Sequence, residues 1–294
     1  MIAMPSKQIS SPLARAADPV ARFVKRTIAS EVQALFNDRS TGETPVLRAD
    51  DGLFGPKSVL WRVHGDVTTM MVGGVAALLL QMLHPAVLAG VWDHSNFRDD
   101  MLGRLRRTAR FIAVTSYASR QEAEAAIARV RAIHLRVQGT LPDGTPYQAS
   151  DPGLLAWVHA TETTSFLDAW IQYSEPRMAI RDQDRYFAET ARVAEALGAY
   201  PVPTSRADMA RFIGGVRGAL TCDARTREVA ALLLNQRPRK PSAAPIQAVA
   251  FQAAIDLLPP WARRMHGLPG SGLTRPLVRA GTFGIAQTLR WAFR

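Results

Sequence analysis

At 294 residues the chain can bury a sizeable core, and 47% hydrophobic with 21% charged content is the balance of a globular protein, not a disordered one. Its single cysteine, Cys222, excludes a disulfide framework, a C-x-x-C redox motif and a cysteine-rich zinc site. The formal net charge is +11, and only Lys7, Lys25, Lys57 and Lys240 of the 36 basic residues are lysines, a skew that reads as codon bias and not as electrostatic design.

Helical signals dominate in chain order. The first twenty residues hold no apolar run of secretory length and no twin arginine, so a cytoplasmic chain is expected. Asp18-Pro19 reads as an N-cap and first helical position, followed by apolar Phe23, Ile28, Val32, Leu35 and Phe36. Residues 37–60 are loop-like. The stretch 67–92 then carries no formal charge over 26 residues. Gln81, His84 and Pro85 interrupt it, so a helix buried on all sides is favoured over a membrane span. Pro85 restarts a helix, and 93–100 reads as a polar turn with an N-cap-like Asp93-His94-Ser95. His84 is expected to cap terminal carbonyls.

A helix over 101–117 follows. Ser119 and Glu122 form a capping box that opens a helix to about 138. Residues 139–150 read as a loop with a Pro-Asp-Gly turn. Asp151-Pro152 starts a helix to about 173. Further helices are expected over 181–197, 205–220, 223–236, 245–258 and 276–292, with prolines between them. No convincing β pattern and no linker appears. The expectation is an all-α, single multi-helix domain over residues 1–294, built around the buried apolar helix.

Several chemistries lack their motif. H-E-x-x-H, E-x-x-H, G-x-x-x-x-G-K-[ST] and G-x-S-x-G are all absent. Six histidines remain. His134, four beyond Val130 and seven beyond Ile127, falls on an apolar stripe. His159, four beyond Leu155 and seven before Phe166, also faces inward, with Glu162 three residues on. A lone inward histidine is usually a hydrogen-bonded core residue, and a buried His159–Glu162 pair is the favoured reading there. Two of them in an all-α protein also admit a haem, since a neutral imidazole is a common axial ligand. Propionates would need arginines such as those of GRLRRTARF or Arg131.

The runs LLLQMLHPAVLAGVWDHSNFRDDMLGRLRRTARF, VRAIHLRVQG and LLAWVHATE resemble the MpaB/latex-clearing-protein oxygenase family. The resemblance spans about 55–213. It implies haem b in a pocket between helices, with dioxygen as co-substrate. By position it implies His134 as the iron ligand, with Arg131, Arg104 and His159 near the cofactor. Arg104, Arg107 and Thr108 match a distal segment of catalytic residues, with Arg107 in place of a lysine. The family's distal glutamate has no counterpart, because Asp93 is the only acid between Asp66 and Asp99. The function implied is a haem-b-dependent oxygenase acting on an apolar, isoprenoid or lipid-like alkene. The alternative is a non-catalytic binder of haem or a hydrophobic ligand.

The C-terminal helical region, 245–294, is basic. Beyond Asp256 it holds Arg263, Arg264, Arg275, Arg279, Arg290 and Arg294 and no acid. Such a tail suits a solvated surface, and it suits peripheral contact with an anionic membrane. No helix-turn-helix or stacking platform supports specific nucleic-acid binding.

Overall fold

The computed structural model describes residues 44–237 and 244–293. The helix expected from Asp18-Pro19 lies outside the described residues. The helices are α1 (Val59–His64), α2 (Val67–Gln81), α3 (Pro85–His94), α4 (Met101–Tyr117) and α5 (Arg120–His134). A two-stranded hairpin follows, β1 (Gln138–Thr140) and β2 (Pro146–Gln148). Then come α6 (Pro152–Tyr173), α7 (Ile180–Leu197), α8 (Arg206–Val216), α9 (Ala224–Leu234), α10 (Ala244–Leu257), α11 (Pro260–His266) and α12 (Arg275–Phe293). The fold is all-α.

The uncharged helix α2 lies at the centre. Asp66 caps it by accepting from the Thr69 amide at 2.9 Å. Around it pack α6, α10, α12 and α1. Its closest neighbour is α6, which runs antiparallel to it. Gly73 faces Ser165 and Phe166, while Gln81 meets Trp157 and Val158. A Cβ on Gly73 would fall 2.8 Å from the Ser165 carbonyl oxygen and 2.9 Å from the Phe166 Cα. Glycine is therefore required for the two backbones to touch.

Two apolar clusters flank this crossing. One joins Val72, Leu79, Leu83, Leu88, Trp157 and Ala253. The other joins Val63, Phe166, Leu167, Tyr186 and Phe187. Helix α12 lays Thr282 and Ala286 into the bundle. Arg290 near its end donates to Asp66 at 2.5 Å and to the Tyr173 carbonyl at 3.2 Å. No single helix among the described residues is long and apolar enough to cross a membrane. Helices α2 and α3 meet that test only together, and they are bent by 103°.

Local departures from the sequence reading have local causes. Helix α1 starts in the last residues of the expected loop and runs past it, because Ser58 caps it, accepting from the Trp61 amide. The helix from Ser119 stops at His134, and 138–148 pairs as a hairpin instead of looping freely. Tyr147 anchors that hairpin by donating to Asp93 at 2.6 Å, and Gly139 leaves room for its ring. Asp93 and His94 thus end α3 and do not cap α4, whose N-cap is Asp100. His84 is the N-cap residue of α3, but its side chain caps nothing. It lies beside Trp157 instead, with ring centroids 6.4 Å apart. Pro259-Pro260, read as punctuation, starts α11 with Pro260 at its first turn.

Gly73→Ala should cost about 1–3 kcal/mol by overpacking backbone against backbone. At Gly74 an added Cβ meets nothing nearer than the Phe166 ring at 3.7 Å. Gly74→Ala should therefore be neutral or gain up to about 1 kcal/mol of helix propensity. Urea unfolding midpoints of the two variants check this contrast.

Candidate functional site

The residues singled out by sequence divide into four groups in space. Arg107 and Thr108 stand in solvent. Arg107 pairs with Asp100 at 3.3 Å and donates to Asn96 at 3.4 Å, with 60% of its side chain exposed. The Thr108 hydroxyl donates back to the Arg104 carbonyl at 3.3 Å. Neither points into an enclosed site. The reason is helical phase: Arg106 lies on the buried side of α4, and Arg107 and Thr108 follow it round to the outside.

Arg104 is different. It is half-buried and lines a cavity of about 10 Å³ with Leu78, Met82, Leu105 and Leu233. Burial first, and then the neighbouring Arg107 charge, push its pKa down. No carboxylate pairs with it among the described residues. A cation so desolvated favours an anionic partner.

His134 and Arg131 occupy the last turn of α5. Arg131 is exposed and His134 half-buried. Burial lowers the His134 pKa, so the ring is neutral at pH 7 although the helix C-terminus would favour a cation. Its Nδ1 is buried and finds no hydrogen-bond partner. No hydrogen bond or ion pair joins His134 to Arg104, Arg131 or His159 among the described residues. The larger surface depression, about 570 Å³ beside Arg217, Trp261 and Arg264, touches none of the predicted site residues.

A fourth group lies deep on α6. His159 is buried with an unpartnered Nε2, and burial lowers its pKa to about 4. The expected hydrogen bond to Glu162 is not made. Glu162 is surrounded by protein yet keeps part of its surface open to water. Burial raises its pKa to about 7. Nearby, His64 bonds Ser116 Oγ through Nδ1 and the Tyr186 hydroxyl through Nε2, both at 2.9 Å. Burial lowers the His64 pKa to about 3 and raises that of Tyr186 well above 10. The Glu162 charge is the next contribution to the Tyr186 shift.

Sequence reading missed this cluster. His64 ends a six-residue helix in a stretch to which the sequence reading assigned no element, and its partners lie 52 and 122 residues away. Only the inward phase of His159 and Glu162 signalled it.

Among the described residues no group of three or more His, Cys, Asp or Glu could hold a bare metal ion. What the site offers a cofactor is single neutral imidazoles and partnerless arginine. That donor chemistry suits one axial nitrogen and a carboxylate-bearing macrocycle. The 10 Å³ cavity at Arg104 holds at most one water, so it is not the seat of a macrocycle.

Glu162 gives the fold a signature in pH. Its carboxyl titrates near 4.5 unfolded and about 7 folded. The native state therefore binds the proton more tightly, and its contribution to stability is lost as pH rises through 4.5 to about 7. Glu162→Gln should stabilise the protein by about 1–3 kcal/mol at pH about 8 and by nothing below pH about 4.5. The opposite, acid-side losses from His64 and His159 cancel in the comparison. Chemical unfolding of both proteins across that range checks it.

A family model described as "ER-bound oxygenase mpaB/B'/Rubber oxygenase, catalytic domain" matches residues 61–291. The match extends beyond the earlier resemblance, to residue 291 within α12. No curated protein and no solved structure matches the chain. With most of its length under the family model, the chain belongs to the mpaB/rubber oxygenase catalytic-domain family of oxygenases.

Proposed function

We propose that the protein is a haem-b-dependent oxygenase that joins dioxygen to an apolar, isoprenoid or lipid-like alkene. The observation that carries this reading is His134, a neutral imidazole at a helix end with a buried, unpartnered nitrogen. His134 would hold the iron. Arg104, short of a carboxylate, would take a propionate, and Arg131 at the rim a second. His159 would lie nearby on α6. Haem, when bound, supplies the iron–oxygen chemistry; the protein supplies orientation and an apolar surround. Arg107 and Thr108 take no part in this reading, since both face solvent.

That same placement favours one rival. Without Arg107 and Thr108, a non-catalytic carrier of haem or of a hydrophobic ligand needs only the binding residues. Colour separates the readings. His134→Ala should lose haem while His94→Ala, exposed at the end of α3, keeps it, measured as pyridine haemochrome on purified protein. Equal haem in both variants would remove the iron assignment. A colourless wild type that binds lipid would favour the carrier.

We also propose peripheral contact with an anionic membrane through α12, supported by its outer face. Leu277, Phe283 and Trp291 are exposed there, with Leu273 just before. Arg275 and Arg279 are also exposed on this helix, with Arg279 donating to Gln172, whereas Arg290 is turned inward to Asp66. Because α12 also packs the core, substitution is a cleaner test than truncation. Leu277→Ser with Phe283→Ser should reduce flotation with anionic vesicles and leave the unfolding midpoint within about 1 kcal/mol. Equal flotation of variant and wild type, or equal binding to neutral vesicles, would refute the contact.

A further inference from the structure

The surface depression of about 570 Å³ shares no residue with the haem reading. It is lined by Gly214 of α8, by Arg217 and Gly218 of the 3-10 turn that follows, and by Trp261, Arg264 and Met265 of α11. Both walls are fastened around the C-terminal end of the central helix. Behind the turn, Leu220 is buried and the Thr221 amide donates to the Leu83 carbonyl at 2.8 Å. On α11, Ala262 and His266 are buried, and His266 Nε2 donates to the Leu79 carbonyl at 2.8 Å. That phase leaves Trp261, Arg264 and Met265, spaced at three and four residues, on a neighbouring face. Side chains carried on anchored elements are preorganised for a ligand.

The two guanidinium groups keep their donors free. Arg217 lies over the Trp261 ring, 5.1 Å from its centre. Stacking holds the guanidinium plane and leaves its N–H edge available. Among the described residues neither Arg217 nor Arg264 gives its guanidinium to a carboxylate or a carbonyl. The nearby acids are engaged elsewhere: Asp208 holds Arg211, Asp223 caps α9, and the buried Asp256 accepts from the Ser271 amide at 2.8 Å. No acid follows Asp256 in the chain. Arg263 lies against Gly270 instead of lining the depression. A Cβ at Gly214 or at Gly218 would meet nothing within 4 Å, so open space stands in front of both.

We infer that this depression binds a soluble organic phosphate. Arg217 and Arg264 take the phosphoryl oxygens, and the organic part lies along Trp261 and Met265. Two guanidinium charges match a dianionic phosphomonoester, whereas a carboxylate matches only one. The volume is that of a small-molecule site and exceeds what a bare phosphate fills. A soluble ligand fits better than a lipid headgroup. The exposed apolar side chains suited to a bilayer, Leu277 and Phe283, are on α12, and no exposed large apolar residue lines the depression. The site needs no haem, so it is tested independently of the oxygenase reading.

Equilibrium dialysis of the full chain against 1-naphthyl phosphate, read by the ligand's fluorescence, tests the site. Inorganic phosphate and 1-naphthoate serve as competitors, and each should bind about tenfold more weakly than the ester. Arg217→Ala and Arg264→Ala should each weaken binding of the ester about tenfold, since each removes charge-assisted hydrogen bonds. Both side chains are exposed, so the unfolding midpoint should not move. Arg181→Ala, the same loss of charge at an exposed position on α7, should leave binding unchanged. No retention of 1-naphthyl phosphate by wild type, equal retention by wild type and both pocket variants, or 1-naphthoate binding as tightly as the ester overturns the inference. Vesicles containing phosphatidic acid address the other source of a phosphoryl group. The double variant Arg217→Ala with Arg264→Ala should float with them as wild type does. Loss of flotation in that variant would place the phosphoryl group on a lipid and overturn the soluble ligand.

Discussion

The structure turns on the contact between two backbones. At Gly73 the central helix meets α6 so closely that no side chain fits between them. That contact fixes the register of the two longest-packed elements, and the register fixes what shares a level. Trp157 and Gln81 fall together at one end, and Phe166 at the other. Between them α6 can present His159 and Glu162 toward the interior without either being squeezed out. Loosening the crossing would move every one of these groups at once.

The electrostatics follow from the same geometry. Beyond Gln81 at its end, an apolar central helix gives its neighbours few side-chain hydrogen bonds, so polar groups facing it are either satisfied from a third helix or left alone. His64 is satisfied, by Ser116 and Tyr186. Asp66 is satisfied, by its own helix and by Arg290 from the far end of the chain. His134, His159 and Glu162 are not. Burial acts on all three in the direction of neutrality, lowering the imidazoles and raising the carboxyl. At these three positions the interior favours the uncharged form, in contrast to the paired charges of Asp66 and Arg290.

The basic C-terminus shows how position overrides composition. Six arginines without an acid after Asp256 read as one patch in the sequence. In the fold Arg290 is an internal counter-ion and Arg279 reaches Gln172. What remains outward on α12 is as much apolar as basic. Net charge therefore overstates the pull toward anionic surfaces, and the exposed Leu277, Phe283 and Trp291 matter as much.

The sequence by itself determined the helices that carry their own signals. The capping box at Ser119 and Glu122, the Asp-Pro start at Asp151 and the uncharged run after Asp66 are local, because capping and periodicity act over three or four residues. It determined the family as well, through ordered motifs, and it identified His134 and His159 as inward by helical phase. Tertiary structure decided the rest. Which arginine of α4 is buried depends on which face α4 turns to the bundle, and the pattern Arg104, Arg106, Arg107 offers more than one. Whether 138–148 is a loop or a hairpin depends on Tyr147 finding Asp93, 54 residues earlier. That His64 belongs with Tyr186 and Glu162 depends on three helices meeting, and no spacing along the chain encodes a meeting across 122 residues. The raised pKa of Glu162 is a property of that packing: the side chain is an ordinary carboxyl, and only the burial around it pushes its pKa up to about 7.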